Sequence, residues 1–273
     1  MGQRDKSLKK EIKLKIITLA LSSIHAFAMP SIYGDFKIGM DHKLSDYGSF
    51  VGVRGEIEAT DNISLIYQAE ASIDTVNLKA SNGESYAGAK YKDHTLKVGS
   101  LSNVFLDNKA FGKVNPWVYM SAENGLSRYG RGGGSLNDSV RADANFNNVF
   151  FASHVSKKSK GFAMGILDFQ GFNFGVAKID KIYRGEATYE DKNMFLAIGA
   201  QQEKNEGTTY KDLALAYGIK YGNFMPMVSY AKGTGYTHRV AGLEYQYGDH
   251  VKIQTVYGKS DKKVAAISAV VSF

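Results

Sequence analysis

The feature that most restricts what this chain can become is its ending. Counting back from the terminal Phe273, every second residue is apolar: Val271, Ala269, Ile267 and Ala265. Ser272, Val270, Ser268, Ala266 and Val264 stand between them. A period of two sends alternate side chains to opposite faces of a strand, so one face here is wholly apolar and finishes on a ring. The same pattern runs back along the chain. Ile32, Gly34, Phe36, Ile38 and Met40 share a face opposite Tyr33, Asp35, Lys37 and Asp41. Val51, Val53, Gly55, Ile57 and Ala59 oppose Gly52, Arg54, Glu56 and Glu58. Ile63, Leu65, Tyr67, Ala69, Ala71 and Ile73 oppose Ser64, Gln68, Glu70, Ser72 and Asp74. Strands of soluble sheets average ~5–6 residues, whereas two-faced segments of ~10 match strands that cross a bilayer.

Alternation continues through Ala87, Ala89, Tyr91, Leu96 and Val98, with Lys90, Lys92 and Lys97 opposite. It stops over residues 101–136, which contain Asn115-Pro116-Trp117 and Gly130-Arg131-Gly132-Gly133-Gly134. A connection of that length inside a compact fold is either functional or evidence against the assignment. The pattern resumes at Val140, Ala142 and Ala144 against Ser139, Arg141 and Asp143. It then runs to the end, with Pro226 out of place inside a strand. The expected fold is all-β: a transmembrane antiparallel barrel of about sixteen strands, or fourteen if the connections are longer.

Composition agrees. The chain has 29 Gly and 17 Tyr but only 3 Pro, as long strands with tight turns and aromatic girdles require. The absence of cysteine removes disulfides and thiolate metal sites. Mean hydropathy is slightly negative, which a half-apolar barrel tolerates. Beyond the N-terminus no run approaches the ~18 apolar residues of a membrane helix.

The N-terminus reads as an export signal. A basic stretch from Lys9 to Lys15 precedes Ile16-Ile17-Thr18-Leu19-Ala20-Leu21-Ser22-Ser23-Ile24, and Ala26-Phe27-Ala28 offers small residues at a cleavage site. Residues 1–28 are therefore expected to be a cleavable signal peptide and residues 29–273 the barrel domain; the alternative is a short amphipathic helix. Residues 1–28 hold six basic and two acidic side chains of a chain whose net charge is +7, so the barrel carries only +3. Those charges are dispersed, which excludes a nucleic-acid surface.

Chemistry-bearing motifs are weak. The glycine run at 130–134 lacks the Gly-Lys-Ser/Thr ending of a phosphate loop and does not join a strand to a helix. His42, His94, His154, His238 and His250 are scattered singly, without ligand spacing. No Gly-x-Ser-x-Gly elbow or cysteine nucleophile is present.

Five motifs in order resemble the general Gram-negative trimeric porins, most closely the neisserial type. They are Ile32-Tyr33-Gly34; Ser49-Phe50-Val51-Gly52-Val53-Arg54-Gly55; Tyr86-Ala87-Gly88 with Leu96-Lys97-Val98-Gly99; Ser102-Asn103-Val104 with Asn115-Pro116-Trp117; and Asn137-Asp138-Ser139-Val140-Arg141. The terminal Phe273 fits as well. The resemblance covers the first half of the barrel by motif and the second by pattern. It implies that the long third loop folds into the lumen and that three barrels associate. Asp107 and Glu123 on that loop would then face Lys37, Arg54, Lys97 and Arg141 on the wall, setting a transverse field across a constriction. Two departures, Phe50 and Ser100, stand where the family carries basic residues and so reduce positive charge on the wall.

The sequence thus points to an outer-membrane porin that passes ions and small hydrophilic solutes through a water-filled lumen. No cofactor, metal or catalysis is expected. The partners expected are outer-membrane lipid, the permeating solutes and two further copies of the chain. Two other readings stay open: a non-conducting barrel acting as adhesin or surface receptor, and a barrel hydrolase built on a Ser/His or Asp/His pair at one rim.

Overall fold

The computed structural model describes residues 30–40, 44–104, 110–111, 135–259 and 263–273. In chain order the strands are β1 (Ser31–Met40), β2 (Leu44–Asp46), β3 (Ser49–Thr60), β4 (Ile63–Asp74), β5 (Lys79–Tyr91) and β6 (His94–Ser102). After the long connection come β7 (Ser135–Phe146), β8 (Val149–Val155), β9 (Lys160–Phe169), β10 (Phe172–Ile179), β11 (Ile182–Glu190) and β12 (Met194–Asn205). The last five are β13 (Thr208–Ile219), β14 (Phe224–Gly233), β15 (Tyr236–Tyr247), β16 (Val251–Lys259) and β17 (Lys263–Ser272). Apart from β2 and β3, which both pair with β1, each pairs antiparallel with its sequence neighbour in one continuous sheet.

The sheet closes on itself. β1 pairs with β17 from Asp35↔Ser272 to Met40↔Ile267. Phe273 extends the seam with two backbone bonds: Gly34 N–H donates to its carbonyl and its own N–H donates to Gly34, each 3.1 Å. The chain end therefore serves as the last rung of the closing ladder. β1 also pairs with β2 through Ile38–Met40 and with β3 through Ser31–Asp35. β2 and β3 are thus two halves of one crossing strand, and the seventeen segments make the sixteen-stranded barrel that the alternation predicts. The break at Tyr47-Gly48 is pinned by Asp46, whose Oδ1 accepts the N–H groups of Gly48 and Ser49, both 2.8 Å. Its Oδ2 accepts the Thr75 hydroxyl at 2.6 Å, tying the break to the neighbouring turn.

Alternation along the strands becomes outside and inside. Leu213, Leu215, Tyr217 and Ile219 are exposed on the outer face of β13, while Asp212, Ala214, Ala216 and Gly218 are buried on the inner face. Pro226 faces outward where the β13–β14 ladder has stopped: the register runs only to Gly218↔Met227, so the missing N–H costs no rung. The end of the barrel holding Phe273 is ringed by exposed Tyr91, Phe146, Phe172, Tyr221, Phe224 and Tyr247. The opposite end carries the long connection after β6.

Closure depends on a close approach. A Cβ on Gly34 would lie 2.5 Å from the Phe50 carbonyl and 2.8 Å from the Phe273 ring, and that ring also stacks on Phe36 at 5.6 Å. Gly34→Val should therefore be more damaging than Phe273→Ala. A core phenylalanine truncation costs roughly 3–5 kcal/mol. Because the Phe273 ring is 49% exposed, its loss should cost about 2 kcal/mol. Urea titration of the barrel folded in lipid vesicles measures both.

Candidate functional site

Inward-facing side chains of β1 and β3–β7 form one connected polar wall. On β1, Lys37 Nζ lies 3.1 Å from Asp35 Oδ2 and 5.3 Å from the centre of the Phe50 ring. Arg54 stacks 4.5 Å over Tyr33, whose ring meets Phe50 edge-on. The Tyr33 hydroxyl donates to Glu70 Oε1 at 2.6 Å. Gln68 Nε2 then bridges Glu70 and Glu84, 3.0 Å to each. Tyr86 donates to Gln68 at 3.3 Å, and Lys97 Nζ sits 4.9 Å over the Tyr86 ring.

The chain of contacts ends at Asp143. Lys97 and Arg141 are direct register partners on β6 and β7, and both turn to this carboxylate. Arg141 Nε donates to Oδ1 at 2.9 Å, Thr95 donates to Oδ2 at 3.2 Å, and Lys97 Nζ stands 3.9 Å from Oδ2. Arg141 is only 3% exposed because its other nitrogens face the chain leaving β6: Nη1 donates to the carbonyls of Ser102 and Asn103 at 3.2 and 3.3 Å. Glu84 Oε1 accepts the Ser102 N–H at 2.7 Å from the other side. The guanidinium thus fixes the root of the long loop. Thr95, Lys97, Arg141, Asp143 and Asn145 line a recess of about 460 Å³ in this wall.

All four wall residues singled out from the sequence face the lumen. Lys97 and Arg141 meet at Asp143, whereas Lys37 and Arg54 flank the Tyr33–Phe50 pair. Asp107 and Glu123 lie outside the described residues, so the opposing row of charge is left as an expectation. Sequence reasoning assigned no role to Tyr33, Glu70, Glu84 or Asp143. Their inward parity was visible for Tyr33, Glu70 and Asp143; a register shift between Ala69 and Ala71 places Glu84 beside them.

Around the rest of the wall, Arg184 donates twice to Gln201 Oε1, at 3.1 and 2.6 Å, and Glu244 joins Gln254 at 2.8 Å and Lys252 at 3.3 Å. The inner face of β12–β14 is unexpectedly apolar. Ala197, Ala214, Ala216 and Ala231 cluster there with Phe195. On β8–β10, Phe150, Ala152, Ala163 and Ala177 form a bed for Val104, Ala110 and Phe111. A Cβ on Gly175 would meet Ala110 and Phe111 at 2.9 and 2.8 Å, so those two residues rest against the inside of the wall.

His154 Nε2 lies 3.4 Å from Ser159 Oγ, and Ser159 donates to Asp180 Oδ2 at 2.6 Å. In a hydrolytic triad the carboxylate orients the imidazole, which in turn takes the serine proton. Here the carboxylate takes the serine hydroxyl directly and also accepts the Lys160 N–H at 3.0 Å, while His154 Nδ1 has no partner among the described residues. This is a turn lock rather than a nucleophile.

No protein-family model matches the chain. In sequence it is 26% identical over 304 residues to the major outer membrane protein P.IB of Neisseria meningitidis serogroup A, covering 93% of this chain and 90% of the relative. The P.IB protein of Neisseria gonorrhoeae is 22% identical over 319 residues, with 93% and 91% covered. In structure it matches Salmonella typhi OmpF with a TM-score of 0.70 at 13% identity, covering 89% of this chain and 97% of that one. The Rhodopseudomonas blastica porin, as a triple mutant, matches with a TM-score of 0.67 at 13% identity, covering 90% and 100%. The chain has the porin fold, and its sequence relatives are neisserial outer-membrane proteins. It is an outer-membrane β-barrel. Barrels of this class place short turns in the periplasm and longer loops outside. The end bearing Phe273 and the aromatic ring is then periplasmic, and the root of the long loop held by Arg141 is extracellular.

Removing one partner of a buried ion pair costs far more than removing a solvated one. Arg141→Ala should destabilise the barrel by about 3 kcal/mol, because it leaves Asp143 with only Thr95 and the more distant Lys97 and frees two carbonyls at the loop root. Lys97→Gln should cost under about 1 kcal/mol. Unfolding midpoints of the two variants in vesicles make the comparison.

Proposed function

We propose that the barrel is a passive diffusion channel for ions and small hydrophilic solutes. The observation that carries this reading is the wall itself: an apolar outer belt around an inner surface of linked, water-accessible charges from Lys37 to Asp143. Such a surface replaces part of a solute's hydration shell and biases ions by sign. Lys37, Arg54, Lys97 and Arg141 form the wall side of the constriction, and Asp107 and Glu123 on the 103–134 segment form the other. Support for that loop lying in the lumen comes from Ala110 and Phe111, which rest on inward-facing Gly175. The Tyr33–Phe50 pair beside Lys37 and Arg54 holds those cations over aromatic faces, giving the wall a flat, ordered patch.

We further propose that residues 1–28 are removed on export. The basic and apolar runs support this, as do the small residues Ala26 and Ala28 at the cleavage position. Three barrels are proposed to associate, as in the trimer form of Vibrio cholerae OmpT, which matches with a TM-score of 0.67.

Planar-bilayer recording of residues 29–273 tests the channel. Stepwise openings in groups of three are expected. Lys97→Gln, which leaves the Arg141–Asp143 pair in place, should shift the reversal potential in a salt gradient toward cations without closing the pore. A folded barrel that never conducts overturns the reading and leaves adhesion or reception as the function.

A further inference from the structure

Beside the root of the long loop sits a buried side chain that the polar wall does not use. His154 on β8 is the direct register partner of Arg141 on β7, and both point inward. His154 is only 1% exposed. Its ring lies over Gly161, its register partner on β9: a Cβ there would stand 2.9 Å from His154 Nδ1 and 2.9 Å from Ile179 Cγ1. Nε2 reaches Ser159 Oγ at 3.4 Å, and that hydroxyl already donates to Asp180. Nδ1 has no hydrogen-bond partner among the described residues. An imidazolium must place two N–H groups, a neutral imidazole one. The surroundings offer one acceptor, the Ser159 oxygen, so the neutral ring is the form that fits.

The charged groups around the ring decide what a second proton does. Among the described residues they are Arg141 on β7, Asp180 on the β10–β11 turn, and the exposed Lys157, Lys158, Lys160 and Lys181 on the two neighbouring turns. β9 and β10 present only Gly161 and Ile179, and the loop root presents Asn103 and Val104. Asp180 is engaged by the Ser159 hydroxyl and the Lys160 N–H. Arg141 stays charged throughout. A protonated His154 therefore sets a like charge directly across the ladder from a guanidinium, the arrangement that destabilises cross-strand pairs. Arg141 has one way to retreat. Its Nε bond to Asp143 is 2.9 Å, whereas Nη1 holds the Ser102 and Asn103 carbonyls at 3.2 and 3.3 Å. The longer bonds, to neutral carbonyls, give first.

We propose that His154 is the positioning residue for Arg141. Neutral, it lets the guanidinium hold the loop root. Protonated, it drives Nη1 off Ser102 and Asn103 and adds a positive charge to the wall, so anions pass more readily in mild acid, where imidazole titrates. The ionic consequence rests on the channel reading above; the hold of His154 on the loop root does not.

The test compares the refolded barrel of residues 29–273 with His154→Gln, which can still bond Ser159 but takes up no proton. A unit charge ~10 Å from an ion path in water changes the population of each sign about twofold. The wild-type anion-to-cation permeability ratio, from reversal potentials in a salt gradient, should therefore rise about fourfold between about pH 7.5 and about pH 5. Over the same range, hydrogen exchange of residues 99–104, corrected for its intrinsic pH dependence, should quicken on the order of tenfold. His154→Gln should lose the exchange step and keep only the shallow slope that carboxylates give. His238→Gln removes the other buried inward imidazole among the described residues and should behave as wild type. A barrel that shows the exchange step without conducting upholds the role of His154 and removes the channel reading. No exchange step in the wild type, a step that survives in His154→Gln, or one lost equally in His238→Gln would each overturn the proposal.

Discussion

A bilayer offers no water to its interior, so every backbone N–H and C=O at that depth must find a partner within the protein. For a sheet this leaves closure as the only solution, and closure here hangs on the contact between the two ends of the barrel. β1 bonds to β17, and the final peptide groups of Phe273 exchange both bonds with Gly34. The absence of a side chain at Gly34 lets the Phe273 ring lie flat against the seam. Once the seam is fixed, register is fixed around the barrel. A slip of one residue would turn Lys97, Arg141 and Asp143 toward lipid and Leu96, Val98 and Ala142 into water. The polar wall is therefore a consequence of closure as much as of local sequence.

That coupling explains why so much was legible from alternation alone. The outer faces of β3, β4 and β13 could be read directly, because an apolar residue facing lipid at every second position has no substitute. Legibility failed where the period is broken. β2 has three residues, too few to show a period, and its separation from β3 at Tyr47-Gly48 is held by the Asp46 carboxylate rather than by a pattern. The register shifts between Ala69 and Ala71 and between Gly99 and Leu101 also reset which residues face inward. Pro226 looked misplaced because a sequence does not reveal where a ladder ends.

The inner wall was legible in sign but not in partnership. Lys97 and Arg141 were read as wall charges facing the loop; the structure adds that both are already engaged by Asp143 on their own side. Arg141 in particular holds the carbonyls of Ser102 and Asn103, so a residue read as a selectivity element also anchors the loop. Contacts such as those of Arg141 with Ser102 and Asn103 depend on a register between segments about forty residues apart in sequence, and no local rule supplies it. The apolar inner faces of β8–β10 and β12–β14 were equally hidden. A run such as Ala214, Ala216, Gly218 says that the inner side is small, not what rests against it.

Cations on the two surfaces obey different rules, and the difference orients the molecule. Inside, each lysine or arginine of the polar wall stands beside a carboxylate or an aromatic ring, so the lumen's net field is set by small imbalances among compensated groups. Outside, carboxylates are missing from the strand positions that hold Lys211, Lys232, Arg239, Lys259 and Lys263, and the periplasmic end substitutes rings for charges. Exposed tyrosine and phenylalanine suit an interface whose headgroups are largely neutral, whereas a row of uncompensated cations is tolerable only beside anions. The cost of crowding Arg239, Lys259 and Lys263 on adjacent strands would be unopposed in water or against a zwitterionic leaflet.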